Sequence, residues 1–443
     1  MINIFRTPSQ EIKDKITLWL NHLLVIYAFL IPIHNGAKSS LFFTMLVLFL
    51  YRRDYWFYLK DAFNNKIVQA FLIFYFLNLL GMVYTDNIEY GKSHMDKVKY
   101  LLFPLMFLSF LDVRFAFRIV GAFIFGMLVS EIFSYLIHFD IFPLSFYIQG
   151  YEIYEANSRF SPAPFMNHIY HNIGLTLVVA MLLYQLLNKK NISNYIKIGS
   201  IVFIVTATIN MTFIASRTGY VLYILIVLLV VFLTFRKNIF KILLITLFTL
   251  SIIAFSAYTF SDTVNIRIHQ TINSINKILK DDNYNSSVGL RIGFTKYSID
   301  VIKENILFGV GTGDHMDKVR EKLPLKHEYI SRLSSPHNIY IQILLQFGII
   351  GFLIFLYLFY TIFSYTKIEK YKKDIMIIVT SSALIFMLPG NFIGSFELPL
   401  FVVFISAMLT KKMYNFNVED INIKLLFKYL IILVLFLIIG ITR

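Results

Sequence analysis

Long apolar stretches alternate with short charged segments along most of the chain. An α-helix needs roughly 20 mostly apolar residues to cross a bilayer. The stretches predict about twelve or thirteen membrane helices, near residues 16–33, 38–51, 67–84, 98–111, 116–139, 169–187, 196–215, 218–235, 239–260, 338–363, 374–387, 398–409 and 425–441. The second, fourth and twelfth are short, which is typical of tilted, broken or interfacial helices. The pattern predicts an all-α polytopic membrane protein.

Composition agrees with this class. Hydrophobic residues make up 57% of the chain, with 46 Phe and 28 Tyr. The chain has no cysteine, so disulfides and thiol chemistry are excluded.

The positive charge follows the predicted topology. Lys and Arg concentrate in every second short loop, which places those loops and the N-terminus in the cytoplasm by the positive-inside rule. The formal charge of +15 is therefore mainly a topology signal with some contact to membrane lipid, and we expect no nucleic-acid partner. The same rule predicts that segments 140–168 and 261–337 face outward.

The larger outward segment carries helical patterning. Apolar residues recur at three or four positions through Val264, Ile268, Ile272, Ile275 and Leu279. Two further helices are predicted at Gly289–Glu304 and Asp314–Leu323. The chain is thus divided into N-terminal membrane helices (1–260), a large helical outward loop (261–337) and C-terminal membrane helices (338–443).

A histidine stands where this loop meets the next apolar run. Ser335-Pro336 is typical of a helix start, with serine as the cap and proline at the first helical position. This predicts His337 in the first turn, where the helix dipole favours a neutral imidazole that can accept a proton. Gly348, on the same helical stripe, is expected to let another helix approach closely. The alternative is that His337 is only an interfacial polar residue.

Two other segments of the outward face are candidates for contact with a ligand. Arg217, in Ser216-Arg217-Thr218-Gly219, has no neighbouring acid, and its planar fork suits phosphate oxygens. Snorkelling to lipid headgroups is the alternative. Gly309-Val310-Gly311-Thr312-Gly313 follows a predicted helix and lacks a βαβ unit, so a nucleotide site is rejected. A tight turn against a ligand or the bundle is expected instead.

These segments together resemble the O-antigen ligase superfamily, most clearly between Ser200 and Gly351. The resemblance is carried by Ser216-Arg217-Thr218-Gly219, then Gly289-Leu290-Arg291 running into Ile306-Leu307-Phe308-Gly309-Val310-Gly311-Thr312-Gly313, then Pro336-His337-Asn338 followed by Gln342 and Gly348. The superfamily includes O-antigen ligases, related polysaccharide polymerases and bacterial O-linked oligosaccharyltransferases.

The resemblance implies metal-independent glycosyl transfer on the periplasmic face of the bacterial inner membrane. The donor is a glycan on undecaprenyl pyrophosphate, and a ligase passes it to the lipid A core. A growing glycan or a protein is the acceptor in the other branches. By position, Arg217 and Arg291 hold the departing pyrophosphate, and His337 orients or deprotonates the acceptor hydroxyl. No cofactor is implied. Glu304 or Asp314 remains an alternative base.

Further contacts to substrate are expected around these residues. Arg159, His168 and His171 belong to the smaller outward segment or the helix after it, near the expected lipid pyrophosphate. His168 and His171 are one turn apart, but no third metal ligand is evident nearby. Asn338 and Tyr340 adjoin His337 and are expected to touch substrate.

A protein of another class remains an alternative. A transporter or flippase for lipid-linked glycans also has many spans and outward arginines along an anion path. Such proteins commonly show repeated halves. Here a single outsized loop dominates, so glycosyl transfer is favoured.

Overall fold

The computed structural model describes residues 7–148, 151–156, 158–236, 238–394, 396–419 and 421–441. Its N-terminal elements are α1 (Gln10–Leu30), α2 (Asn35–Tyr51), α3 (Tyr55–Phe63), α4 (Lys66–Gly81), α5 (Ile88–Val98), α6 (Phe103–Phe110), α7 (Ala116–His138), β1 (Ser145–Ile148), β2 (Tyr151–Glu155), α8 (His168–Asn188) and α9 (Asn194–Phe213). Its later elements are α10 (Arg217–Thr234), α11 (Ile239–Phe260), α12 (Asp262–Asp281), α13 (Ser287–Glu304), α14 (His315–Glu321), α15 (Ile339–Ser364), α16 (Lys370–Phe386), α17 (Glu397–Leu409) and α18 (Ile423–Ile441). Short 3-10 helices occupy Lys99–Leu102, Val113–Phe115 and Leu325–Arg332.

The predicted all-α polytopic class is confirmed, but fewer helices than expected are long enough to span. Within the described ranges, six helices are long and apolar enough to cross a membrane, namely Val113–His138, His168–Asn188, Asn194–Phe213, Arg217–Thr234, Phe240–Phe260 and Ile339–Ser364. Helices α3 and α4, bent by 95°, make a seventh if they count as one span. Other predicted spans coincide with shorter helices, including α2 with 17 residues, α4 with 16 and α17 with 13.

Segments 140–168 and 261–337 meet at one end of the bundle, called here the loop end, where Thr263 donates a hydrogen bond to the Phe160 carbonyl (3.3 Å). The Ala215 amide, between α9 and α10, donates to Ser161 Oγ at the same end (3.2 Å). The smaller segment also contains a structure that the sequence did not predict. Strands β1 and β2 pair as an antiparallel hairpin, and Tyr154 on β2 packs with Ile137 of α7.

The three helices predicted in the large loop are confirmed as α12, α13 and α14. They form a small core of their own, with buried side chains that include Phe294, Val301 and Val319. Leu345 of α15 completes this core. The loop is therefore attached to a membrane helix through apolar packing.

Helix α15 is broken at Gly348, whose φ of 61° and ψ of −159° are non-helical. Residues 306–311 exchange backbone hydrogen bonds with the break. Ile349 N donates to Ile306 O (2.8 Å), Val310 N to Leu345 O (2.8 Å), and Gly311 N to Gln346 O (3.0 Å). The predicted close approach at Gly348 is thus made by an irregular segment, and the prediction of a neighbouring helix there was wrong.

The glycine-rich segment 309–313 also contacts α4. Thr312 N donates to Gly81 O (3.2 Å), Thr312 Oγ1 donates to Asn78 O (2.7 Å), and Gln346 Nε2 donates to Thr312 O (2.6 Å). Asp314 accepts the backbone amides that follow α4. These glycines therefore bring the backbone to the bundle, one of the two roles expected for them.

We expect Gly348→Ala to destabilise the protein. A Cβ at this position meets the backbone of Leu307, and its φ of 61° with ψ of −159° lies in a region open essentially to glycine alone, which costs other residues about 1–3 kcal/mol. With overpacking, the loss is about 2–6 kcal/mol. The loss of stability is measured by heating the detergent-solubilised protein and determining the fraction that remains monodisperse. Gly121→Ala on α7, where nothing lies within 4 Å, is the control. Equal melting of both variants would contradict the docking role of the break.

Candidate functional site

Arg217 is held across the loop end by two hydroxyl groups. It is the first residue of α10, and Ser216 caps that helix by accepting from Gly219 N (3.2 Å). Its Nη1 donates to Thr271 Oγ1 on α12 (2.9 Å), and its Nη2 donates to Ser287 Oγ at the start of α13 (2.6 Å). The guanidinium therefore sits where α10, α12 and α13 meet.

A second arginine, Arg267, lies beside it and was missed by the sequence reasoning. It precedes Thr271 by one turn on α12, so both side chains share a helix face. Arg267 is half-buried, and its guanidinium donates to Gln270 Oε1 (3.0 Å). Arg217 lies within electrostatic range of Arg267. The available signal was an arginine beside the apolar stripe of an amphipathic helix.

Arg291 is the third cation of the cluster. It lies in the first half of α13 and is half-buried, and Arg217 is within electrostatic range. Burial lowers the pKa of its guanidinium from the ordinary value. Within the described part of the chain, none of the three arginines forms an ion pair with an acid, and the Arg291 side chain has no hydrogen bond.

His337 lies just before α15 and outside the helix, so its predicted place in the first turn was wrong. Asn338 is the cap, since its side chain accepts from Ile341 N (3.2 Å). The Ile339 amide donates to Met387 O (2.9 Å), so a distant carbonyl helps to set where the helix begins. His337 has a φ of 52°, a left-handed conformation that costs a residue with a Cβ about 1–2 kcal/mol. Such strain clusters at functional sites.

The imidazole of His337 is neutral at physiological pH. Burial, and secondly the charge of Arg291, lower its pKa to about 4. The expected neutral state is therefore present, but for reasons other than the helix dipole. No described residue forms a hydrogen bond with the ring, so both nitrogens are available to a ligand.

Two cavities meet at Arg217 and Arg267. One, of about 400 Å³, is apolar and lies between α9, α10, α11 and α12. The other, also about 400 Å³, is lined by polar side chains of α12 and the start of α13. Both are lined by Arg217 and Arg267. A ligand that spans them has an apolar part, an anionic centre and a polar part.

The other predicted substrate contacts divide between the cluster and the protein interior. His168, the first residue of α8, lies within electrostatic range of Arg267. His171 is fully buried, with its ring nitrogens 3.1 Å from Ser130 Oγ and 3.1 Å from Asn210 Oδ1. The exposed Arg159 is paired with Asp140 (Nη1 to Oδ2, 2.6 Å). Only His168 of these joins the arginines.

The remaining candidates have structural partners. Asn338 is the α15 cap, and Tyr340 donates its hydroxyl to Leu384 O (2.8 Å). The alternative bases are also engaged. Glu304 pairs with Lys322 (2.6 Å), and both oxygens of Asp314 accept backbone amides.

Residues 200–356 match the family model described as O-Antigen ligase. The match supports membership of the O-antigen ligase superfamily. The matched segment includes all three arginines and His337, and excludes Arg159, His168 and His171. No curated protein and no solved structure matches the chain. At the family level, the match supports a ligase- or polymerase-like glycosyltransferase activity.

We expect the His337 imidazole to titrate near pH 4, and Arg291→Gln to raise its pKa. Removing a nearby positive charge favours imidazolium, so the shift is upward towards the ordinary value of about 6.5. NMR of isotopically labelled histidine, assigned by subtracting the His337→Asn spectrum, measures it. Arg332→Gln, an exposed arginine of the same loop, is the control. A wild-type pKa near 6.5 would show that the ring is not desolvated.

Proposed function

We propose that this protein transfers a glycan from undecaprenyl pyrophosphate to an acceptor hydroxyl on the periplasmic face of the bacterial inner membrane. The observation that carries the proposal is the arginine cluster, in which Arg217 and Arg267 lie between an apolar and a polar cavity and Arg291 lies near a neutral histidine. A lipid-linked glycan has the same order of parts, since its pyrophosphate joins a hydrocarbon chain to sugars.

The surroundings of the arginines support an anionic ligand with a lipid tail. Like charges brought together disfavour each other unless an anion lies between them, and guanidinium groups bind phosphate oxygens in pairs. The apolar cavity is walled by membrane helices α9, α10 and α11, where a polyprenyl chain finds an environment like the bilayer. The polar cavity suits the first sugars.

The transfer reaction follows from this placement. The acceptor oxygen attacks the anomeric carbon as the bond from that carbon to the pyrophosphate oxygen breaks, and the pyrophosphate departs with the electron pair. His337 takes the proton of the acceptor hydroxyl. Negative charge grows on the leaving group, so guanidinium groups already in place stabilise the transition state more than the ground state.

Donor binding also makes His337 a better base. Burial, and secondly the charge of Arg291, hold the His337 pKa near 4. A pyrophosphate beside Arg291 offsets that charge and favours imidazolium. The histidine therefore gains proton affinity only when the donor is present.

Among acceptors, we favour the lipid A core, because the matching family is described as O-antigen ligase. The polymerase and protein oligosaccharyltransferase alternatives use the same donor chemistry and differ in which molecule offers the hydroxyl. A flippase is less well supported. The break in α15 is filled by residues 306–311, whereas broken helices of transporters line a substrate path.

We expect His337→Asn to lower transfer by about 10²–10⁴-fold. Asparagine tolerates the left-handed backbone, so the loss reports the imidazole rather than strain. Arg217→Gln and Arg291→Gln should each cost about 10²–10³-fold. Transfer by the purified protein from a lipid-linked glycan measures this. His269→Asn, an exposed histidine of α12, is the matched control. Full activity of His337→Asn would exclude it as the base.

The same variant identifies the acceptor in cells. Polymer stranded on its carrier with bare lipid A core indicates a ligase, and core with a single repeat indicates a polymerase. Unglycosylated proteins with normal glycolipid indicate an oligosaccharyltransferase. Gels and mass spectrometry of glycolipids, glycoproteins and carrier distinguish these outcomes. No change in any of the three would contradict the proposed function of His337.

A further inference from the structure

Arg267 stands on the lipid side of the site. It lines the apolar cavity together with Arg217, Val264 and Ile268, and it lines the polar cavity as well. Arg291 lines neither of these cavities. Arg217 lies within electrostatic range of both other arginines. Arg267 and Arg217 therefore border the apolar cavity, whereas Arg291 does not.

His337 marks the end of the site that lies away from the apolar cavity. The histidine lies within electrostatic range of Arg291. In the proposed reaction the anomeric carbon must lie near the base that deprotonates the acceptor. The phosphate bonded to that carbon is therefore next to Arg291, whereas the phosphate bonded to the lipid is next to the apolar cavity.

The chemistry of Arg267 fits a second phosphate. Its guanidinium is half-buried and donates to a neutral amide oxygen, Gln270 Oε1, in the described structure. Arg217 is already held by Thr271 and Ser287. Two guanidinium groups side by side, each held by neutral partners, are stabilised by an anion that both can touch.

We propose that Arg267 binds the lipid-side phosphate of the carrier. This rests on the proposed function. The single phosphate of a polyprenyl monophosphate is also bonded to the lipid, so Arg267 contributes to binding of both lipids. The preference for pyrophosphate then comes from Arg291, beside the phosphate that only the pyrophosphate has.

The two ends of the pyrophosphate have different kinetic roles. Negative charge develops on the oxygen that leaves the anomeric carbon, so Arg291 acts chiefly in the transition state. The lipid-side phosphate changes little during the reaction, so Arg267 contributes nearly equally to the ground and transition states. Loss of such uniform binding raises KM with little change in kcat.

The test compares binding of undecaprenyl pyrophosphate and undecaprenyl monophosphate to the full-length protein in nanodiscs. We expect the wild type to favour pyrophosphate. Arg267→Gln should weaken binding of both lipids by about 10- to 100-fold, the value of a charged hydrogen bond, whereas Arg291→Gln should weaken pyrophosphate binding alone. Arg267→Lys should retain part of the affinity. Lys280→Gln, an exposed cation on the same helix, is the matched control, and monodisperse elution of each variant verifies folding.

The outcomes separate this inference from the proposed function. Weaker binding of both lipids by Arg267→Gln, with raised donor KM and near-normal kcat, supports the role of Arg267. If Arg267→Gln weakens binding of pyrophosphate alone, or of neither lipid, the role is wrong and the proposed donor stands. If the wild type itself shows no preference for pyrophosphate, both the inference and the proposed donor are overturned.

Discussion

The backbone exchange at Gly348 is the contact on which the arrangement of the site depends. A broken helix in a bilayer leaves polar backbone groups that cost several kcal/mol each when unpaired. Residues 306–311 supply the missing partners, so the loop completes the hydrogen bonding of a membrane helix. Arg291 lies on the helix that leads into this segment, and His337 directly precedes the broken helix. One docking event therefore fixes the two residues relative to each other.

The loop helices could be predicted from sequence because their signals are local. The repeat from Val264 to Leu279 marks α12, and α13 lies within two residues of its predicted start. The conformation of His337 could not be predicted in this way. The start of α15 depends on the hydrogen bond from Ile339 to Met387, which are distant in sequence. Ser335-Pro336 is a local signal that this tertiary contact overrides.

Arg267 and the membrane spans show two other limits of sequence reasoning. An arginine on an amphipathic helix usually faces water, and its approach to Arg217 depends on how α12 packs over α10. An apolar run in the sequence indicates which residues can enter a membrane, but it does not show where a helix ends or bends. The 95° bend between α3 and α4 is therefore visible only in the structure, whereas the short α17 was already indicated by the short apolar run at 398–409.

Helix α11 has little protein around it. Only 6% of its most apolar 18-residue stretch is buried within the protein, yet Ile253, Ala254 and Ala257 line the apolar cavity. Lipid tails are as apolar as these side chains, so the hydrophobic effect does not press the helix onto the bundle. Annular lipid is therefore a structural component of this wall. The thickness and fluidity of the surrounding bilayer therefore influence the width of the apolar cavity beside α11.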